Sequence, residues 1–265
     1  MAEYSQILYE RIGRVGRVTL NRPQVYNAQS RLMREEMDAA FAEAIADPEV
    51  HVIVLAGAGQ HFSAGHDLGT PEEREDQQRR PYPPGVPGQF ERGWMLNVDN
   101  SLRWRELPKP TIAAVQGYCI YGGWILASAM DLIVAADDAK FLPGMTQYAT
   151  APWDLGVRKA KEILFQSRFV DADEALRLGF VCKVVPRAVL EQETLAFAEA
   201  IADSHPFFVR MVTFSINRAQ DMMGFRNHAL EHFPAYMTAQ LAGTIGGPRE
   251  GEQGEGRRRR ALPAV

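Results

Sequence analysis

Two stretches of this chain could do chemistry with their backbones. In Phe62-Ser63-Ala64-Gly65-His66-Asp67-Leu68, small residues follow an apolar run, and their main-chain N–H groups are open to close approach. In the second, Gly122-Gly123 stands before the apolar pattern Trp124 to Met130, so free N–H groups fall at a helix start. Such groups stabilise an anion, or an oxygen that is becoming one. Close packing alone also explains a glycine pair before a helix, so neither stretch decides by itself. The polar groups nearest to hand are His61, His66, Tyr148 and Asp154. Trp124, Met145 and Trp153 would suit an apolar pocket, with core packing the competing reading for Trp124.

The elements that must position these groups are legible around them. Thr111 to Val115 is a buried strand, the glycine pair a tight turn, Trp124 to Met130 a buried helix, and Leu132 to Ala136 a second buried strand. Upstream, Ile7 to Leu20 reads as two strands about Gly13 to Gly16. Ser30 caps a helix with Leu32, Met37, Ala40, Phe41 and Ile45 at helical spacing, and His51 to Ala56 is a buried strand. Residues 69–93 are charged and then proline-rich, which predicts an irregular, mobile loop able to serve as a lid. Helices follow at Trp94 to Leu107, Lys159 to Ser167 and Ala172 to Gly179, with a helix-rich end after Pro186. The expected division is a core over 1–190, a helical region over 191–243 and a disordered Gly/Glu/Arg tail over 244–265.

At 265 residues and 46% hydrophobic content the chain can bury a substantial core. A formal charge of −4 and a pI near 5.9 give no electrostatic footprint for nucleic acid. Cys119 and Cys182 lie in apolar surroundings and read as reduced core residues, and no Cys/His spacing suits a metal. No apolar run reaches membrane-spanning length, so the expected location is the cytoplasm.

Several motifs then occur together, in order: Asn21-Arg22-Pro23 with Asn27-Ala28, Phe62 to Leu68, Lys109 to Gly117, Gly122-Gly123, Asp131 to Ala136, Ala139 to Phe141, and Asp173-Glu174-Ala175 with Gly179. In this combination the chain resembles the enoyl-CoA hydratase/isomerase (crotonase) superfamily over roughly residues 5–240. The resemblance implies an α/β fold of the ClpP/crotonase type, a spiral of repeated β-β-α units with a helical C-terminal trimerisation region. It implies an acyl-CoA thioester as substrate, no cofactor beyond the coenzyme A of that substrate, and a homotrimer or dimer of trimers. The oxyanion donors implied are the backbone N–H groups of His66 and Gly122, with Ala64, Gly65, Asp67, Leu68 and Gly123 beside them at the coenzyme A and thioester.

The resemblance also marks a departure. A hydratase of this superfamily places two carboxylates across the double bond, and the two positions fall here on Ile125 and Met145. Neither side chain ionises or polarises water. Tyr121 stands where a further glycine is usual. Asp154 lies near the place where another branch, resembling naphthoate synthase, carries an aspartate. The expectation is therefore an enzyme acting on a CoA thioester through an oxyanion, with Ile125, Met145, Tyr148 and Trp153 as acyl pocket. A lyase, hydrolase or cyclase using Asp154, and an acyl-CoA-binding protein without chemistry, stay open beside it.

Overall fold

Successive side chains on a strand point to opposite faces, and here both faces are apolar, so the central strands are buried on both sides. The computed structural model describes residues 3–245. Strands β1 (Ile7–Ile12), β2 (Val15–Leu20), β3 (Val52–Gly57), β4 (Thr111–Val115), β6 (Leu132–Ala136) and β9 (Lys183–Val185) form one sheet in the order β1-β2-β3-β4-β6-β9. Every pairing after the β1-β2 hairpin is parallel. Ile53, Leu55, Ala113, Val115, Ile133 and Ala135 face one core. Met33, Met37 and Phe41 of helix α1 (Arg31–Ala46) pack into it. Val52, Val54, Ile112, Ala114 and Val134 face the other core, closed by α9 (Leu190–Ala202).

A second sheet joins β5 (Tyr118–Ile120), β7 (Lys140–Leu142) and β8 (Val170–Asp171). Its strands follow those of the large sheet in alternation. β4 is succeeded by β5 and helix α5 (Gly122–Ser128), and β6 by β7 and then α6 (Ala151–Asp154) and α7 (Val157–Gln166). Each strand-strand-helix unit thus gives one strand to each sheet, and the parallel pairings β4-β6 and β5-β7 stack the units in register. Helix α8 (Ala172–Leu178) is capped by Asp171 and ends at Gly179 in the left-handed region.

Residues 69–93 correct one expectation: they carry helices α2 (Pro71–Arg79) and α3 (Val86–Gly93) rather than an irregular loop. Helix α2 has no apolar stripe to betray it. It is specified by its start, where the Thr70 hydroxyl accepts from Glu73 N, Pro71 opens the first turn and Glu72 and Glu73 face the dipole. The expected helix from Trp94 divides into a π-helical segment, Trp94–Asp99, and α4 (Asn100–Arg105).

Helices α10 (Pro206–Met222) and α11 (Phe225–Leu241) complete the described chain, and most of the tail, from residue 246, lies outside it. The apolar face of α11 does not wait for a partner. Phe225, Phe233, Tyr236 and Met237 are buried against Val98, Leu102, Ile125 and Tyr148 of the same chain. The uncovered apolar face belongs to α10, which buries none of its residues and exposes Phe207, Phe208, Phe214 and Ile216. Cys119 is buried, whereas Cys182 is exposed beside β9. No helix among the described residues is long and apolar enough to cross a membrane.

Candidate active site

The loop after β3 meets the turn after β5 because Ser63 behaves as one more residue of the small sheet. Ser63 N donates to Tyr118 O at 3.0 Å, Ile120 N donates to Ser63 O at 3.1 Å, and the two chains run parallel through the Ser63–Cys119 bridge. This register carries Gly65 to Gly122: a methyl on Gly65 would stand 2.9 Å from Gly122 N and 3.0 Å from Ile120 O. Gly65 has φ +98°, a conformation glycine alone adopts freely. Gly123 is glycine for a different reason, since a Cβ there would lie 2.5 Å from Ser63 O.

Around this contact several backbone donors are engaged within the fold, while those of Leu68, Gly123 and Trp124 have no acceptor among the described residues. Ala64 N donates to Tyr26 O at 2.9 Å, Gly65 N to Ser63 Oγ at 3.2 Å and Asp67 N to Gln29 O at 3.0 Å. The N–H groups of His66 and Gly122 donate to no acceptor among the described residues. Gly122 opens α5, so its N–H is one of the helix's orphan donors. Tyr121, just before it, is held at φ +48° and ψ −105° with its ring against Gly144. A tyrosine in that region is strained, and the strain fixes the entry to α5.

The His66 imidazole lies beside Gly122, with Nδ1 2.8 Å from where a Gly122 Cβ would be. Its Nε2 is 3.0 Å from Gln147 Oε1. Desolvation, helped by the charges of Arg34 and Arg92, pushes the imidazole down to about 3, so it is neutral at physiological pH. A neutral ring that donates from Nε2 presents Nδ1 as an acceptor beside Gly122.

Comparison with known proteins gives the family. The family model for enoyl-CoA hydratase/isomerase matches residues 10–242. The chain belongs to the enoyl-CoA hydratase/isomerase family. A putative enoyl-CoA hydratase of Mycobacterium tuberculosis, EchA13, is 39% identical, covering 84% of this chain and 77% of that one. A probable enoyl-CoA hydratase of Rhizobium meliloti is 36% identical, covering 83% and 84%. The crystal structure of a probable enoyl-CoA hydratase from Mycobacterium smegmatis superposes with a TM-score of 0.82 at 39% identity, over 89% of this chain and 95% of that one. An enoyl-CoA hydratase/isomerase from Xanthobacter autotrophicus Py2 gives 0.81 at 33% identity, over 91% and 89%. These neighbours establish the crotonase fold.

Within this family member the remaining candidates separate. Ile125 and Tyr148 are fully buried in the cluster that α11 closes, with Trp153 at its edge, where its Nε1 donates to His228 Nδ1 at 3.1 Å. The Tyr148 hydroxyl is buried without a hydrogen-bond partner, and burial raises its pKa. Met145 is apart from them and 42% exposed, and Leu68 is 82% exposed. Trp124 is core: it stacks on Phe180 at 3.8 Å and donates to Thr150 Oγ1. His61 stacks on Tyr118 and accepts from its backbone N.

Two of the candidate carboxylates are held by partners within the fold. Asp67 is a structural group, because its buried carboxylate pairs with Arg22 at 2.7 Å and accepts from Gly69 N, Thr70 N and Thr70 Oγ1. No oxygen is left for a ligand. Asp154 accepts from Ser128 Oγ at 3.0 Å, at the last residue of α5. Six residues of helix, roughly 9 Å at 1.5 Å per residue, separate that residue from Gly122. Desolvation raises the half-buried Asp154 carboxyl to about 7, against the hydrogen bonds from Thr150, Ser128 and Trp124 that favour its charge.

The groups that sequence reasoning missed are Gln29, Arg34, Ser63 as a bridge, and Gln147. Arg34 had a signal. It lies three residues before Met37 and seven before Phe41, on the buried stripe of α1, where a charge is out of place. Gln29, Ser63 and Gln147 are joined only by tertiary contact and have no local pattern.

Proposed function

We propose that this chain binds an acyl-CoA thioester with its carbonyl oxygen between the N–H groups of His66 and Gly122, and transforms it through an enolate or tetrahedral oxyanion. The observation that carries the reading is the pair of unengaged donors brought together by the Gly65–Gly122 approach. Preorganised donors of this kind are most effective where charge develops in the reaction. The family and the hydratase names of the relatives support the thioester. The neutral His66 ring orients the loop, and its backbone acts. With Ile125 and Met145 at the hydratase acid positions, the reaction is one that needs little proton management from the protein. Asp154, its carboxyl raised to about 7, is the acid that a lyase, hydrolase or cyclase step would use. Three copies meeting through α10, singly or as a dimer of trimers, complete the proposal.

The test is Gly122→Ala. A methyl there sits 2.8 Å from His66 Nδ1 and 3.0 Å from Gly65 Cα, which forces the two donors apart. On a panel of enoyl-, β-keto- and cyclic acyl-CoA thioesters, turnover of the best substrate should fall by about 10²–10³, the usual effect of losing an oxyanion donor. Affinity for free coenzyme A should stay within about threefold. Unchanged turnover would remove the two donors from the mechanism.

A further inference from the structure

Arg34 is 1% exposed, and its guanidinium links Gln29 to the π-helical segment Trp94–Asp99. It donates to Leu96 O through Nη1 and to Gln29 Oε1 through Nη2. Its Cζ stands 5.6 Å from the centre of the Trp104 ring. Gln29 is bridged directly to the oxyanion loop: its N donates to Gly65 O at 2.8 Å, and its O accepts from Asp67 N at 3.0 Å, bracketing His66. No carboxylate among the described residues pairs with Arg34. Asp38, the acid whose charge reaches it, is engaged by Trp104 Nε1 at 2.6 Å and by Arg103 at 3.0 Å. Burial draws the guanidinium down to about 9, which leaves it protonated at neutral pH.

A buried cation bonded only to neutral oxygens is costly unless an anion balances it at some stage. The nearest place where negative charge would arise is the oxygen facing the His66 N–H. We propose that Arg34 is a positioning residue that acts through Gln29 and the His66 loop as fixed counter-charge for the thioester oxyanion. Its field reaches the oxygen through a dry, low-dielectric path and needs no contact with substrate. Arg92 adds to the same field but is tied to Glu73 at 2.8 Å, so its charge is largely cancelled. The inference rests on the reading that places the thioester oxygen at His66 and Gly122.

The experiment measures the thioester carbonyl stretch of bound butanoyl-CoA by isotope-edited infrared difference, with ¹³C at the carbonyl. This saturated probe is polarised without double-bond chemistry. Wild type should lower the stretch relative to free butanoyl-CoA. Arg34→Met should lose at least half of that shift with a Kd changed less than about threefold, and Arg34→Lys should keep most of it. Gln29→Glu places a carboxylate on the guanidinium without removing it, and should lose the shift as well. Should Arg34→Met fail to fold, Gln29→Glu carries the test alone. A full wild-type shift in Arg34→Met or in Gln29→Glu overturns the role of Arg34 and leaves the oxyanion site standing. No shift in wild type overturns the site and this inference together.

Discussion

Asp154 should reveal itself in stability as well as in activity. Its carboxyl titrates near 7 in the folded chain and near 3.9 in an unfolded one, so between these values the folded state holds the extra proton. Stability from this group is therefore present at low pH and lost as pH rises from about 4 to 7. Asp154→Asn removes the titration but keeps an acceptor for Ser128. Its Tm should exceed that of wild type at pH 8 by a few degrees, at about 2–4 °C per kcal/mol for a chain of this size, and the gain should vanish by pH 4. A Tm difference independent of pH would show that Asp154 is not held in a charge-disfavouring site. Sequence could nominate Asp154 and His66 as ionisable, but not say how burial shifts them. The His66 side chain is neutralised by desolvation, with the charges of Arg34 on α1 and Arg92 on α3 adding to it, and Asp67 is consumed by Arg22 and Thr70. What was legible was the pair of glycine-containing stretches, because a backbone role leaves its mark on the residue type itself.

At the scale of elements, one side chain of α2 links three helices. Glu73 has no exposed side-chain surface and accepts from Arg31 N at 3.0 Å, Gln77 Nε2 at 2.7 Å and Arg92 Nη2 at 2.8 Å, joining α1, α2 and α3. Glu73→Ala removes all three and leaves the Arg31 N–H without its acceptor. A loss of about 2–3 kcal/mol is expected, a fall in Tm of about 5–10 °C by calorimetry. A change below about 0.5 kcal/mol would mean that the segment is held elsewhere. Buried strands such as β3 and β4 were legible because an apolar β-branched run has few alternatives. Helix α2 escaped period analysis because its nine residues, Pro71 to Arg79, contain no large apolar side chain, and only its capping signal at Thr70 to Glu73 gave notice. Helix α11 lies within the helical region the sequence marks, but what its apolar face packs on is not legible there. Sequence shows that an apolar face must be covered and is silent on whether Ile125 and the π-helical segment of the same chain cover it.

For the whole molecule, the uncovered face on α10 carries the assembly proposal. Phe207, Phe208, Phe214 and Ile216 are each more than half exposed, and Phe207 and Phe214, seven residues apart, share one side of the helix. Sedimentation at micromolar concentration should give three or six copies, and Phe208→Asp with Ile216→Asp should shift the population toward monomer. A wild type that sediments as a monomer would contradict the proposal. In the proposed reading the oxyanion donors, the acyl side and the C-terminal cover lie in one chain, and the chemistry depends on what stands at a few positions around them. Here those positions hold a buried isoleucine and an exposed methionine. The most direct test of this reading is the steady-state rate of crotonyl-CoA hydration. Each positioned acid or base ordinarily contributes about 10²–10⁴, so with both absent kcat should lie below about 0.1 s⁻¹ while another thioester in the panel turns over faster. A crotonyl-CoA kcat of about 1–10³ s⁻¹ would contradict it, and would require an acid and a base that Ile125 and Met145 cannot provide.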